Sequence, residues 1–158
     1  MTSAARAANI ILERASREGK SLSPLQVMKL VYMAHGLHLA TRGSPLLNER
    51  VQAWQYGPVI PSLYQHMKQY GNRPIHPPRL QLGIFDRAEP TADEVAMLHA
   101  SYDAYGAFSG PALSNLTHRP GSPWSQVWRP GISNLEIPDE VIRRHYQQAQ
   151  ADGVLKSA

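Results

Sequence analysis

Val51-Gln52-Ala53-Trp54-Gln55-Tyr56-Gly57-Pro58-Val59-Ile60-Pro61-Ser62-Leu63-Tyr64 is the stretch whose reading decides the fold. Trp54 and Tyr56 alternate with polar Gln55, which is the period of a short half-buried strand. Gly57-Pro58 is read as breaking that strand, because glycine reaches positive φ while proline fixes φ and has no amide hydrogen to donate. Pro61 suits the first turn of a helix that continues through Leu63 and Tyr64. A strand, a rigid bend and a helix start within 14 residues leave this corner little freedom.

Working upstream, Pro45-Leu46-Leu47, then Asn48-Glu49-Arg50, then Val51 to Gln55 suggest a small β-hairpin. Its strands are too short to stand alone and must lie on helices. Ser23-Pro24 is a cap residue followed by proline at the first helical position, and it opens a helix ending near Arg42-Gly43. Apolar residues run almost all the way round that helix, so neighbours must cover it on several sides. Before it, Ser3 to Glu18 carries Ala8, Ile11, Leu12 and Ala15 at amphipathic spacing, with Gly19 placed as a C-cap.

Downstream, a helix over about Pro61 to Gln69 ends at Gly71. Residues 72–89, with Pro74, Pro77 and Pro78, read as a long loop of the kind that is often functional or mobile. Thr91 to Glu94 is a capping box opening a helix to about Tyr105. Ser109 caps a short helix with Leu113 and Leu116, and a turn-rich segment leads to Trp124 and Trp128. Asp139 and Glu140 favour the start of a last helix, which runs to about Ala149. The tail, residues 153–158, is expected to fray. The fold class is therefore mainly α (α+β): a compact helical single domain over residues 1–158, with one small β-hairpin packed on the helices.

Composition bounds the function. A chain of 158 residues buries roughly 70% of its unfolded surface, enough for a real core. Mean hydropathy is −0.37, and no apolar stretch approaches the ~20 residues that span a bilayer. The first residues carry no secretory pattern, so the expected location is cytoplasmic. With no cysteine, disulfides, thiolate nucleophiles and Cys-ligated zinc are excluded. The net charge of +4 is scattered along the chain rather than gathered in a stripe, which argues against nucleic acid as the main partner.

Chemistry-bearing residues are few. His35 and His38 are three apart on one helix, but the stretch lacks the His-Glu-x-x-His pattern of helical zinc sites, so a packed or capping pair is expected and no metal. His118 lies near Ser114, Thr117, Asp139 and Glu140, from which a hydrolase triad can be assembled on paper. The plainer reading has His118 bonding the backbone of its own turn. No phosphate-binding glycine motif occurs, and no cofactor is expected. Lys29 is the odd residue, set among Met28, Leu30 and Val31. It either snorkels along the apolar surface or, as expected here, pairs with a buried carboxylate; the functional reading is a charge facing a partner at the edge of a groove. Of Tyr32, Trp54, Tyr56, Tyr64, Trp124 and Trp128, about two are expected to be exposed enough for a partner.

Three blocks in order carry a family likeness. They are Leu25-Gln26-Val27-Met28-Lys29-Leu30-Val31-Tyr32-Met33-Ala34-His35-Gly36, then Pro45-Leu46 with Ala53 to Pro61 and Tyr64, then Leu113-Ser114-x-Leu116-Thr117-His118 with Pro123-Trp124. Together they resemble the Panacea domain, the SocA-like antitoxin family of bacterial and prophage genomes, over about Ala5 to Tyr146. Lys29, Leu30, Tyr32, Trp54, Gly57, Pro58, Val59, Tyr64, Leu116, Thr117, His118 and Trp124 match its pattern, whereas Met28 stands where relatives often place a polar residue.

The resemblance implies a non-enzymatic antitoxin that neutralises a cognate toxin by direct contact. For one branch it implies an adaptor that delivers the toxin to an ATP-dependent protease of the ClpXP type. The partner-binding candidates are Lys29, Tyr32, Trp54, Tyr56, Tyr64, His118 and Trp124. A small hydrolase using His118 and a nucleic-acid-binding regulator are the rival readings.

Overall fold

The core is organised around one helix that has no solvent face. The computed structural model describes residues 1–153. In it α2 (Pro24–Arg42) buries every residue from Val27 to Leu39. Its start is set locally: the Ser23 hydroxyl accepts from the Gln26 amide at 3.4 Å, and the Gln26 side chain accepts from the Ser23 amide at 2.9 Å. Pro24 adds no unmet donor there. Its end is Gly43, at φ 74°. Because α2 is apolar all round, α1 (Ala4–Arg17), α3 (Pro61–Met67), α4 (Ala92–Tyr105), α5 (Gly110–His118) and α7 (Asp139–Ala151) all pack on it.

Each neighbour offers the face its sequence pattern dictates. α1, capped by Ser3, turns Ala4, Ala7, Ala8, Ile11, Leu12 and Ala15 inward, and its small residues allow close approach to α2. α4 begins at the expected Thr91–Glu94 box. α7 buries only Ile142 and Tyr146 against the centre. A short α6 (Pro123–Val127) presents Trp124 behind the sheet.

Strand pairing differs from the hairpin expected from the sequence. Leu47 makes only an isolated bridge to Thr2, so Pro45–Leu47 is not a hairpin arm. The arms are β1 (Gln52–Trp54) and β2 (Gly57–Val59), with Ala53 opposite Pro58 and Trp54 opposite Gly57, turned by Gln55-Tyr56. Gly57-Pro58 is thus strand, not break. The sheet order β2-β1-β3 explains this, since β2 is an edge and Pro58 needs no outward donor there. Gly57 takes φ 119°, a conformation closed to side chains. The third strand, β3 (Leu135–Glu136), is an addition to the expected pair, and Ile137 continues it by donating to the Val51 carbonyl at 2.8 Å.

Residues 72–89 are irregular as expected apart from a 3₁₀ turn at Ile84–Asp86. They are nevertheless tied down. Ile75 and Leu80 are buried, and the Ile75 amide donates to Leu22 O at 2.9 Å. The Asn9 amide side chain bonds both the N–H and the C=O of Leu80, at 2.7 and 2.9 Å. Arg6 Nε donates to Asp86 O at 2.7 Å. What this anchoring leaves outward is an apolar tip, Ile84 and Phe85, 64% and 89% exposed. Of the tail, residues 154–158 lie outside the described residues.

Candidate docking site

Three backbone carbonyls of the hairpin tip are held by side chains from three different helices. Lys29 Nζ of α2 donates to Pro58 O at 2.8 Å, Ser114 Oγ of α5 to Tyr56 O at 2.7 Å, and Trp124 Nε1 of α6 to Trp54 O at 2.5 Å. Met28 Sδ accepts the Ile60 amide at 3.3 Å and so fastens the strand exit. Such carbonyls lie at the end of a short sheet and need donors when buried. The blocks Leu113 to His118 and Pro123-Trp124 therefore have a shared task, which is to clamp the hairpin in place.

Lys29 corrects the sequence reading. Among the described residues it forms no ion pair, and its one hydrogen bond goes to the Pro58 carbonyl. A bent backbone turns that carbonyl inward, so the ammonium finds an acceptor without a carboxylate. Gly57 makes room for it: a Cβ there would come within 2.9 Å of Nζ. One neutral acceptor does not replace a hydration shell, and burial pushes the Lys29 ammonium down to about 7.

Beside the clamp lies an open groove of about 500 Å³, bounded by the start of α2, the hairpin tip and the end of α3. Leu25, Met28, Val59 and Met67 give it apolar walls, and Lys29 and Lys68 are its charged groups. No carboxylate lines it. Trp54 and Tyr64 meet edge to face across it at 5.1 Å, a favourable aromatic geometry that holds Tyr64 upright. Tyr56 and Tyr64 are the two exposed aromatics of the six considered, at 69% and 41%.

Of the seven candidate residues, Lys29, Trp54, Tyr56 and Tyr64 come together in this groove. The other three do not. Tyr32 is buried and packs edge-on to Tyr146. Trp124 is buried behind the hairpin, stacked on Trp128 at 5.0 Å. His118 donates from Nδ1 to the Ser114 carbonyl, one helical turn back, and lies edge-on to Trp124. That is the backbone role expected of it, and the Ser114 hydroxyl is already committed to Tyr56 O. Leu25, Val59, Met67 and Lys68 were not among the candidates. Their signal in the sequence is only helical or strand periodicity.

The histidine pair on α2 separates. His35 accepts the Leu47 amide on Nδ1 at 3.3 Å and donates from Nε2 to Asp139 at 2.9 Å, while His38 bonds Ser44 O at 2.6 Å. Among the described residues no three His, Cys, Asp or Glu side chains gather as metal ligands, and no helix is long and apolar enough to cross a membrane.

No solved structure matches the chain. Residues 27–125 match the family model for the antitoxin SocA-like, Panacea domain. The chain is also 31% identical over 153 residues to Antitoxin SocA of Caulobacter vibrioides (strain NA1000 / CB15N), covering 89% of this chain and 80% of that protein. This chain, whose hairpin is clamped by side chains of three helices, belongs to the SocA-like antitoxin family.

Proposed function

We propose that this chain is a cytoplasmic, single-domain antitoxin that neutralises a cognate toxin by direct contact, without catalysis, and that the toxin docks at the groove between α2, the hairpin and α3. The observation that carries the site is the groove's chemistry: apolar walls, two exposed tyrosines, two lysines and no carboxylate. Aromatic residues at a rigid edge are the usual anchors of protein interfaces, and a surface of this kind suits an apolar segment bearing an acidic residue. A stable complex would extend beyond the groove, over roughly 1,200–2,000 Å². Several arginines that nucleic acid would need, including Arg6, Arg14, Arg42, Arg50, Arg143 and Arg144, already hold carboxylates.

The test uses the product of the neighbouring open reading frame as toxin. Co-expression should rescue growth, and Tyr56→Ala combined with Tyr64→Ala should weaken binding at least about tenfold, with only a small drop in the unfolding midpoint from the lost Trp54–Tyr64 contact. Wild-type affinity in the double variant would place docking elsewhere.

The adaptor role is the finer part of the proposal, and the Ile84–Phe85 tip suits it. It is apolar, exposed, and held out by an anchored segment. Phe85→Ser should leave toxin affinity intact and slow toxin degradation by a ClpXP-type protease severalfold in a reconstituted assay. Unchanged degradation would remove the tip from that role.

A further inference from the structure

A second cavity, of about 210 Å³, lies one turn farther along α2 than the hairpin groove, between α2, the α5–α6 junction and α7. It exceeds the ~150 Å³ that is known to admit a benzene ring in an engineered protein cavity. Its polar lining consists mostly of donors. Tyr32, Tyr105 and Tyr146 bring phenols, His145 an imidazole, and Arg119 a guanidinium. The Tyr32 hydroxyl is fully buried and is the one buried side-chain polar atom among the described residues without a hydrogen-bond partner. A buried hydroxyl in that state has lost its water without a replacement acceptor or donor.

Arg119 is exposed at the rim and forms no ion pair among the described residues, yet its charge is felt at Tyr105, Tyr146 and His145. Asp152, also at the rim, accepts from Gln148 Nε2 at 2.9 Å and has no comparable effect on those groups. Burial drives the Tyr32 and Tyr146 phenols upward; the Tyr146 hydroxyl comes near that of Tyr32 without reaching hydrogen-bond geometry and opposes the rise at Tyr32 only weakly, so both stay protonated and able to donate. Met33, Leu116 and Ala149 supply an apolar wall.

We propose that this cavity is a binding site for a small organic anion, a carboxylate on an apolar body of about one ring, with Arg119 and the Tyr32 hydroxyl meeting the carboxylate. Nothing in it depends on the antitoxin reading or on the hairpin groove. The site also offers a route by which a metabolite could stiffen the α2–α7 contact.

Calorimetric titration and thermal shift with benzoate, benzamide and inorganic phosphate test it on the whole protein. Benzoate should bind in the millimolar range and raise the melting temperature, and benzamide, its neutral isostere, should bind at least about tenfold more weakly. Arg119→Gln should weaken benzoate about tenfold or more, and Tyr32→Phe about fivefold. Tyr32→Phe should also melt at or above the wild-type temperature without ligand, because it deletes an unpartnered hydroxyl; a purely structural tyrosine would melt lower. Equal binding of benzoate and benzamide, or benzoate binding untouched by both substitutions, overturns the proposal. Phosphate binding as tightly as benzoate overturns the organic part of it. Full toxin neutralisation by Tyr32→Phe separates this site from the docking groove.

Discussion

Lys29→Met should be more stable than the wild-type protein at pH 7 and should lose the wild type's rise in stability toward pH 9. The Lys29 ammonium falls to about 7 in the fold, from an ordinary 10.5. Below about pH 7 both folded and unfolded chains hold the proton, so the fold bears the whole desolvation penalty. Between the two values the unfolded chain binds a proton that the folded chain lacks. Stability then climbs by up to ~1.4 kcal/mol per pH unit, on the order of 5 kcal/mol across the window. Above about pH 10 the sign reverses. Burial raises the phenols of Tyr32, Tyr105 and Tyr146, so the unfolded chain loses protons that the folded chain keeps.

Methionine fills a similar space, removes the buried charge, and leaves Pro58 O without its donor, a loss of about 1–2 kcal/mol. The balance at pH 7 favours the variant. Urea denaturation of both proteins at pH 6, 7, 8 and 9 gives the difference profile, in which all other groups cancel, the Met1–Glu94 ion pair included. A difference that does not change with pH would show that Lys29 is not desolvated. In the docking proposal this penalty has a use. A carboxylate brought by a toxin would recover it on binding, and Lys29→Met would then pair higher stability with poorer neutralisation. Such a trade-off is common where a site holds a strained or unpaired group.

What the sequence made legible were the features with local causes. Ser23-Pro24 and Gly43 bound α2 because capping geometry is decided by residues three or four apart. The Thr91 box and the acidic start of α7 are of the same kind. The all-round apolar α2 announced a central helix, and hence a mainly α fold with a small sheet.

The illegible features all depend on distant partners. Gly57-Pro58 looks like a break until one knows that β2 lies at the edge of the sheet. Two residues of β3 carry no periodicity at all. Lys29 was expected to seek a carboxylate, but a backbone carbonyl leaves no mark in a sequence. Residues 72–89 read as free because the anchor that ties Leu80 is Asn9, 71 residues away. Half the groove was visible for a similar reason. Trp54, Tyr56 and Tyr64 sit on one short corner, whereas Tyr32 lies on a helix where every face is apolar and no pattern says which neighbour it meets. Ser114, which clamps the hairpin from α5, was weighed in the sequence only as a member of a paper triad, because nothing in a short helix signals that Tyr56 O lies above its hydroxyl.

Gly36→Ala should destabilise the protein by about 2 kcal/mol or more, lowering its melting temperature by several degrees, although helix propensity alone predicts the opposite. Gly36 lies inside α2, where alanine is better by about 1 kcal/mol. An added Cβ, however, would meet the edge of the Tyr146 ring well inside van der Waals contact, with Cγ at 3.0 Å. Tyr146 is 4% exposed and braced edge-on by Tyr32 at 6.2 Å, so turning its ring toward the cavity it lines would break that packing. The ring must push α7 away from the central helix, and overpacking of that kind outweighs the gain in propensity. Gly43→Ala provides the contrast. Nothing lies within 4 Å of a Cβ there, and its penalty would come from φ 74° alone. Tyr146→Ala should therefore relieve Gly36→Ala but not Gly43→Ala, a coupling of about 1–2 kcal/mol in a double-mutant cycle read by denaturation. Additive effects in the first pair would mean that α2 and α7 are held together by something other than this ring on this glycine.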